Sequence, residues 1–97
     1  MDSRDLVAWN LRKLRVAKGF SQEGLALEAG IARTYVSRLE RGLENPTVDM
    51  LDRLARALLV RQTAFFQPKL PGEKRSPGLP AGRKAPSPRR RSERRRD

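Results

Sequence analysis

The stretch from Arg33 to Gly42, RTYVSRLERG, carries side chains whose chemistry suits the recognition of polar surfaces. At helical spacing, Arg33, Thr34, Ser37 and Arg38 fall on one surface. A guanidinium can pair bidentately with O6 and N7 of guanine, and a threonine methyl group can contact thymine. A single exposed arginine on a helix is most often part of a solvated face. The hypothesis of a binding surface therefore depends on the four residues as a group.

The sequence offers little for catalysis or metal binding. It contains no cysteine and no histidine, which excludes disulfides and thiolate metal sites and removes the commonest general base and metal ligand. Its carboxylates and lysines are not clustered, and it has no nucleophile–base pair and no phosphate-binding glycine loop. We therefore expect no enzyme, no metal and no cofactor.

The apolar stretches are short and interrupted by charge. The N-terminal segment MDSRDLVAWN contains no long hydrophobic run. This pattern supports neither a transmembrane helix nor a secretory signal. We expect a cytoplasmic protein with no membrane partner.

The positive charge is concentrated at one end of the chain. The net charge is +11, from 22 basic and 11 acidic residues. Residues 1–67 hold 11 Lys/Arg and 8 Asp/Glu, a net of +3, whereas residues 68–97 hold 11 and 3, a net of +8. Such a tail favours a polyanionic partner but does not by itself separate DNA from RNA or an acidic lipid surface.

The composition changes at Pro68. Six of the seven prolines and almost no large apolar residues lie from there to the end. A segment of this kind buries too little apolar surface to offset its ordering entropy. The sequence therefore predicts one folded domain over residues 1–67 and a disordered, Pro/Arg-rich basic tail over residues 68–97.

Within the predicted domain, apolar residues recur at helical spacing. The expected core positions are Val7, Leu11, Leu14, Leu25, Ala26, Ala29, Val36, Leu39, Leu51, Leu54, Ala55 and Leu58. Five short helices are predicted in a compact all-α bundle. The first covers about Arg4 to Lys18, the second starts after Ser21 and ends near Gly30, and the third covers roughly Ala32 to Arg41. The fourth starts after Thr47, and the fifth covers about Thr63 to Gln67. Ser3 or Asp2, Ser21 and Thr47 are the expected N-caps.

The second and third predicted helices meet at the glycine-containing turn AGI, which is typical of a helix-turn-helix. In that motif the first helix crosses the DNA backbone and the second lies in the major groove. A helix that lies in a groove can bury only a narrow stripe, here Val36 and Leu39. This explains why the third helix is mostly polar.

The segment NLRKLRVAKGFSQEGLALEAGIARTYVSRLERGLENPTVDMLDRLARAL resembles the Xre or Cro/C1-type (phage-repressor-like) helix-turn-helix family. The elements LRxLR, GFSQ, AGI, TYVSRLERG and NPT occur in the order and spacing of that family, over about residues 7–60. The resemblance implies a compact bundle of about five helices. It also implies a nucleoid-associated homodimer that binds a two-fold operator in double-stranded DNA sequence-specifically, usually to repress transcription.

The resemblance also assigns roles to individual residues. Base-contacting positions are Arg33, Thr34, Ser37 and Arg38. Phosphate-contacting positions are Gln22, Tyr35, Arg41 and Asn45. Arg15 and Glu40 correspond to a buried ion pair that joins the first helix to the third.

Two residues depart from the family pattern. Ala32 replaces the usual Ser or Thr N-cap of the third helix, which costs roughly 1 kcal/mol. Gly24 replaces a helix-favouring residue early in the second helix, at a similar cost of about 1 kcal/mol. Neither change removes a DNA-facing group, so we expect a domain of modest stability.

Large apolar residues continue to the end of the predicted domain. Family members often pair there, so the expected dimer interface is Leu59, Val60, Phe65 and Phe66. The two phenylalanines are themselves expected to cap the core, with the dimer contact as the alternative. Trp9 lies off the apolar stripe of the first helix and suits either core packing or a subunit contact.

Other functions remain open at this point. A protein of the same fold could control a restriction–modification system or act as the antitoxin of a toxin–antitoxin pair. A different class is an RNA-binding or interaction protein that acts through the tail sequence RKAPSPRRRSERRRD. The sequence does not identify any protein partner beyond a second copy of the chain.

Overall fold

The computed structural model describes residues 2–76. Four α-helices and one short 3₁₀ helix follow each other: α1 (Ser3–Ala17), α2 (Gln22–Ala29), α3 (Arg33–Glu40), α4 (Val48–Leu58) and the 3₁₀ helix (Gln62–Phe66). The described residues contain no strand. The predicted all-α bundle of about five helices is confirmed.

The helix starts follow from local hydrogen bonds. Asp2 caps α1 by accepting from the Asp5 backbone N–H, and Ser21 caps α2 by accepting from Gly24 N–H, both at 2.9 Å. Thr47 caps α4 in the same way at 3.0 Å. Of the two candidates for α1, the cap is therefore Asp2.

The turn between α2 and α3 depends on Gly30. This residue ends α2 in the left-handed conformation, with φ of 72°. A glycine reaches that conformation without the steric cost of a Cβ. The next helix begins after Ala32, whose side chain makes no capping hydrogen bond, as its identity predicts. Gly30 thus ends α2 and allows the chain to turn toward α3.

The core lies between all five helices. α1 packs against α3 and the 3₁₀ helix, and α2 packs against α3 and α4. Every expected core position is buried except Leu14, which is partly buried at the core edge. Ala8, Phe20 and Phe65 complete the set of buried apolar residues.

Asn10 joins the two ends of the domain. Its side-chain amide is buried and donates to the backbone carbonyls of Phe65 (2.9 Å) and Gln67 (2.8 Å), as well as to Leu6 (3.1 Å). The 3₁₀ helix is therefore tied to α1 by polar contacts as well as by apolar packing.

Defined contacts continue past the boundary predicted at Pro68. Arg12 Nε donates to the Ser76 carbonyl at 2.6 Å, and Lys13 pairs with the Glu73 carboxylate. The hydrogen bond from Lys13 is the main cause that holds the pKa of Glu73 below its usual value. Glu73 and Ser76 thus contact α1. The part of the predicted disordered tail that follows Ser76 lies outside the described residues.

Candidate nucleic-acid interface

The α3 helix presents a polar face because only one narrow stripe of it is buried. Val36 and Leu39 are 0% and 1% exposed and attach the helix to the core. Arg33 and Thr34 in the first turn are exposed, Arg38 is exposed one turn later, and the side chain of Ser37 is partly exposed. The four residues predicted to contact bases therefore lie on the outside of one helix.

The residues predicted to contact phosphates lie around that face. Gln22 is the first residue of α2, where the unpaired N–H groups and helix dipole favour an anion. Arg41 and Asn45 are exposed just after α3, while Tyr35 is half-buried within it. The structure thus brings the predicted base and phosphate contacts onto the surface formed by α2, α3 and the loop that follows.

The Gln22 side chain is held in place from inside the domain. Its Nε2 donates to Glu40 Oε1 at 3.1 Å. A side-chain amide has two N–H donors, so the second remains for an external acceptor such as a phosphate oxygen.

Glu40 is the centre of a buried polar cluster. Its carboxylate receives hydrogen bonds from Arg15 and Gln22 and lies 3.5 Å from Arg12 Nη1. Its backbone carbonyl accepts from Arg75 Nη2 at 3.1 Å. The sequence pointed to the Arg15 contact only, through the family resemblance. The other three partners, Gln22, Arg12 and Arg75, lie 18 to 35 residues from Glu40 along the chain, so no local sequence pattern predicts their contacts with it.

Arg38 carries an ion pair that the sequence analysis missed. Its Nε donates to Glu44 Oε2 at 2.7 Å, and its Nη2 donates to the Leu43 carbonyl at 3.2 Å. The guanidinium is therefore held on one edge by the loop after α3.

Tyr35 lies between the core and this loop. Partial burial, and secondarily the negative charge of Glu44, raise the pKa of the Tyr35 phenol above its ordinary value. The hydroxyl group therefore stays protonated at neutral pH and can donate a hydrogen bond to a phosphate oxygen.

The four residues predicted to form a dimer interface do not share one surface. Phe65 is 0% exposed and belongs to the core, so its assignment to the interface is wrong; it packs under α1, whose Asn10 binds its carbonyl. Leu59 and Phe66 are 70% and 44% exposed. Val60 is partly buried against the core. Of the four predicted interface residues, Leu59 and Phe66 are therefore the two that remain exposed.

Trp9 is contacted by Lys69, which follows the 3₁₀ helix. Lys69 Nζ lies 4.7 Å from the centroid of the Trp9 ring, a cation–π distance. The side chain is half-buried on α1.

Other site types find no support among residues 2–76. No group of three or more acidic side chains is placed there to hold a metal ion. In the same residues, no helix is long and apolar enough to cross a membrane.

The fold and this surface define a helix-turn-helix domain. The sequence profile of the helix-turn-helix family matches residues 11–61, and the chain belongs to that family, in its Xre or Cro/C1-type branch. The HTH-type transcriptional regulator y4dJ of Sinorhizobium fredii is 44% identical over 68 residues, which are 70% of this chain and 88% of that protein.

Solved structures show the same fold. The hypothetical transcription factor NHTF from Neisseria has 42% identity and a TM-score of 0.67, and the match covers 69% of this chain and 77% of that one. The restriction–modification controller protein C.Esp1396I, solved as a tetramer in complex with its natural 35-base-pair operator, has 33% identity and a TM-score of 0.63. That match covers 68% of this chain and 87% of the controller.

Proposed function

We propose that this protein is a transcriptional regulator, acting as a repressor, that binds a specific sequence in double-stranded DNA. The observation that carries the proposal is the placement of Arg33, Thr34 and Arg38 on the outer face of α3. Val36 and Leu39 anchor the opposite face of the same helix in the core. A helix held in this way can enter a major groove as a rigid unit.

The arrangement separates base reading from phosphate contacts. The outer face of α3 meets base edges, where arginine favours guanine and threonine can contact a thymine methyl group. Gln22, Tyr35, Arg41 and Asn45 flank that face and bind phosphate oxygens, which fixes the position of the domain on the duplex without reading sequence. The similar controller C.Esp1396I, solved in complex with its natural operator, supports DNA binding by a domain of this fold.

Two copies of the domain act together. A single domain of this size reads only a few base pairs, too few for selectivity among the roughly 10⁶ or more competing sites of a genome. A two-fold dimer places two recognition helices about 34 Å apart, on successive major grooves. Leu59 and Phe66 are exposed apolar side chains that are available for such a contact.

The chain has two functional parts in this proposal. The helix-turn-helix domain supplies sequence recognition, and the basic Pro/Arg-rich segment adds affinity for phosphates without sequence preference. The proposal assigns no catalytic step to the chain, and it agrees with relatives that are named as HTH-type transcriptional regulators.

Selection of bound fragments from random duplex DNA tests the proposal. The purified full-length chain should enrich a two-fold symmetric sequence, and footprinting should show protection of both half-sites. Enrichment of no sequence would overturn the proposal. Tighter binding to single-stranded RNA than to any duplex would also overturn it and would favour a tail-based RNA contact.

A further inference from the structure

Glu44 lies where an acidic side chain is unexpected. It belongs to the loop after α3, beside two residues proposed to contact DNA, Tyr35 and Arg38. A carboxylate repels DNA phosphates, so its position on this surface weakens non-specific binding. The contacts of the carboxylate point to a role that offsets this cost.

The contact of Glu44 restrains a predicted base reader. The carboxylate accepts from Arg38 Nε at 2.7 Å, and the Leu43 carbonyl accepts from Arg38 Nη2 at 3.2 Å. A guanidinium has five N–H donors, and these two bonds occupy the edge formed by Nε and Nη2. Among residues 2–76, Arg38 Nη1 donates to no group, and Nη2 carries a second N–H, so donors remain at the Nη1–Nη2 end of the guanidinium.

The Nη1–Nη2 end of the Arg38 guanidinium matches one base edge in particular. Two parallel N–H donors pair with the O6 and N7 acceptors of guanine in the major groove. A side chain held in the binding orientation before contact loses less conformational freedom on binding. The ion pair also offsets the positive charge of Arg38, and this reduces the non-specific attraction of the Arg38 side chain to DNA phosphates.

Stability does not explain the pair. The side chains of Arg38 and Glu44 are 48% and 30% exposed. Ion pairs with this exposure contribute little to folding. The pair is better explained by what it does to the orientation of Arg38.

We propose that Glu44 is a positioning residue that orients Arg38 for end-on contact with a guanine, and so determines base preference at one position of each half-site. The inference rests on the proposed function, because it assumes that α3 reads DNA bases. It adds a residue outside α3 that makes no base contact itself.

The test is selection from random duplex DNA with the full-length chain and four variants: Arg38→Ala, Glu44→Gln, the double variant, and Asp52→Asn as the control. Asp52 is a matched control because it also pairs with an exposed arginine, Arg56, at 3.0 Å, but on α4. Arg38→Ala identifies the base position that Arg38 reads.

Glu44→Gln should lower the guanine preference at that same position by roughly three- to tenfold, part of what a bidentate contact supplies. All other positions should keep their preference, and affinity for non-specific DNA should rise because a negative charge is lost. The double variant should show no further loss beyond Arg38→Ala, since both changes act on one contact. Asp52→Asn should leave every position unchanged.

Three results would overturn the inference, and each has a different meaning. A preference that depends on Arg38 but survives Glu44→Gln shows that Glu44 does not position it. If the base preference at every position of the selected site is unchanged in Arg38→Ala, Arg38 is not a base-reading residue, although the proposed function still stands. No enriched sequence with the unmodified chain overturns both proposals.

Discussion

Arg15 on α1 and Glu40 at the end of α3 form an ion pair inside the core, where their side chains are 2% and 1% exposed. All three guanidinium nitrogens of Arg15 donate: Nε and Nη2 to the two carboxylate oxygens of Glu40, and Nη1 to the Phe20 carbonyl at 2.8 Å. The contact fixes α3 against α1 at the end of the recognition helix. It therefore links the stability of the domain to the orientation of its proposed DNA-binding surface.

Glu40→Ala should lower the free energy of unfolding by about 3–5 kcal/mol, because the Arg15 charge would remain buried without a partner. The matched control is Glu28→Ala, which removes an exposed glutamate from α2. Urea unfolding of the DNA-free protein measures both. Equal free energies of unfolding for the two variants would show that the Arg15–Glu40 pair contributes nothing.

The pKa of Tyr35 should lie above its ordinary value of 10.0, and Glu44→Gln should move it back part of the way. Removal of the carboxylate takes away the secondary cause, whereas burial, the main cause, remains. Tyr35 is the only tyrosine in the sequence. A pH titration of phenolate absorbance therefore reports this residue alone.

The sign of the associated stability change follows from the same shift. The folded state favours the protonated phenol, so stability is retained below about pH 10 and decreases as the pH rises above it. An identical titration midpoint in Glu44→Gln and in the unmodified protein would place the carboxylate too far from Tyr35 to act on it.

Two neighbouring phenylalanines should behave differently when each is changed to alanine. Phe66→Ala should weaken dimerisation with little effect on the fold, since its side chain is 44% exposed. Phe65→Ala should cost about 3–5 kcal/mol of stability, because it creates a cavity in the core. Sedimentation equilibrium measures the first effect and urea unfolding the second. A dimer unchanged by Phe66→Ala would exclude this surface as the interface.

A fragment of residues 1–76 should keep the selected DNA site and its two-fold footprint. It retains the contacts of Glu73, Arg75 and Ser76 with the domain, and it lacks eight of the 22 basic residues. Because each phosphate neutralised contributes about −0.9 to the slope of log affinity against log salt, the fragment should show a shallower slope. Loss of all sequence preference in the fragment would transfer the function to the tail.

The elements of the fold could be predicted because their signals are local. Ser21, Thr47 and Gly30 mark helix ends by short-range hydrogen bonds and backbone conformation, and the structure places them at those ends. The spacing of Val36 and Leu39 likewise defined the buried side of α3.

The parts that escaped prediction depend on contacts distant in sequence. Asn10 binds backbone groups 55 and 57 residues away, so nothing near it in the sequence marks it as buried. Phe65 and Phe66 are the same residue type in adjacent positions, and only the packing of the 3₁₀ helix on α1 decides which one enters the core. The Arg38–Glu44 pair depends on the path of the loop after α3, which periodicity does not determine.

The measurement that tests the central claim most directly is the ratio of affinities for the selected duplex and a scrambled duplex, at one fixed salt concentration. Arg33→Ala should lower this ratio by about 1–3 kcal/mol, expressed as free energy, because a base contact is lost. Arg41→Ala, the control that removes a proposed phosphate contact, should weaken both duplexes alike and leave the ratio unchanged. A ratio that stays the same in Arg33→Ala, or falls as much in Arg41→Ala, would contradict base reading by the outer face of α3.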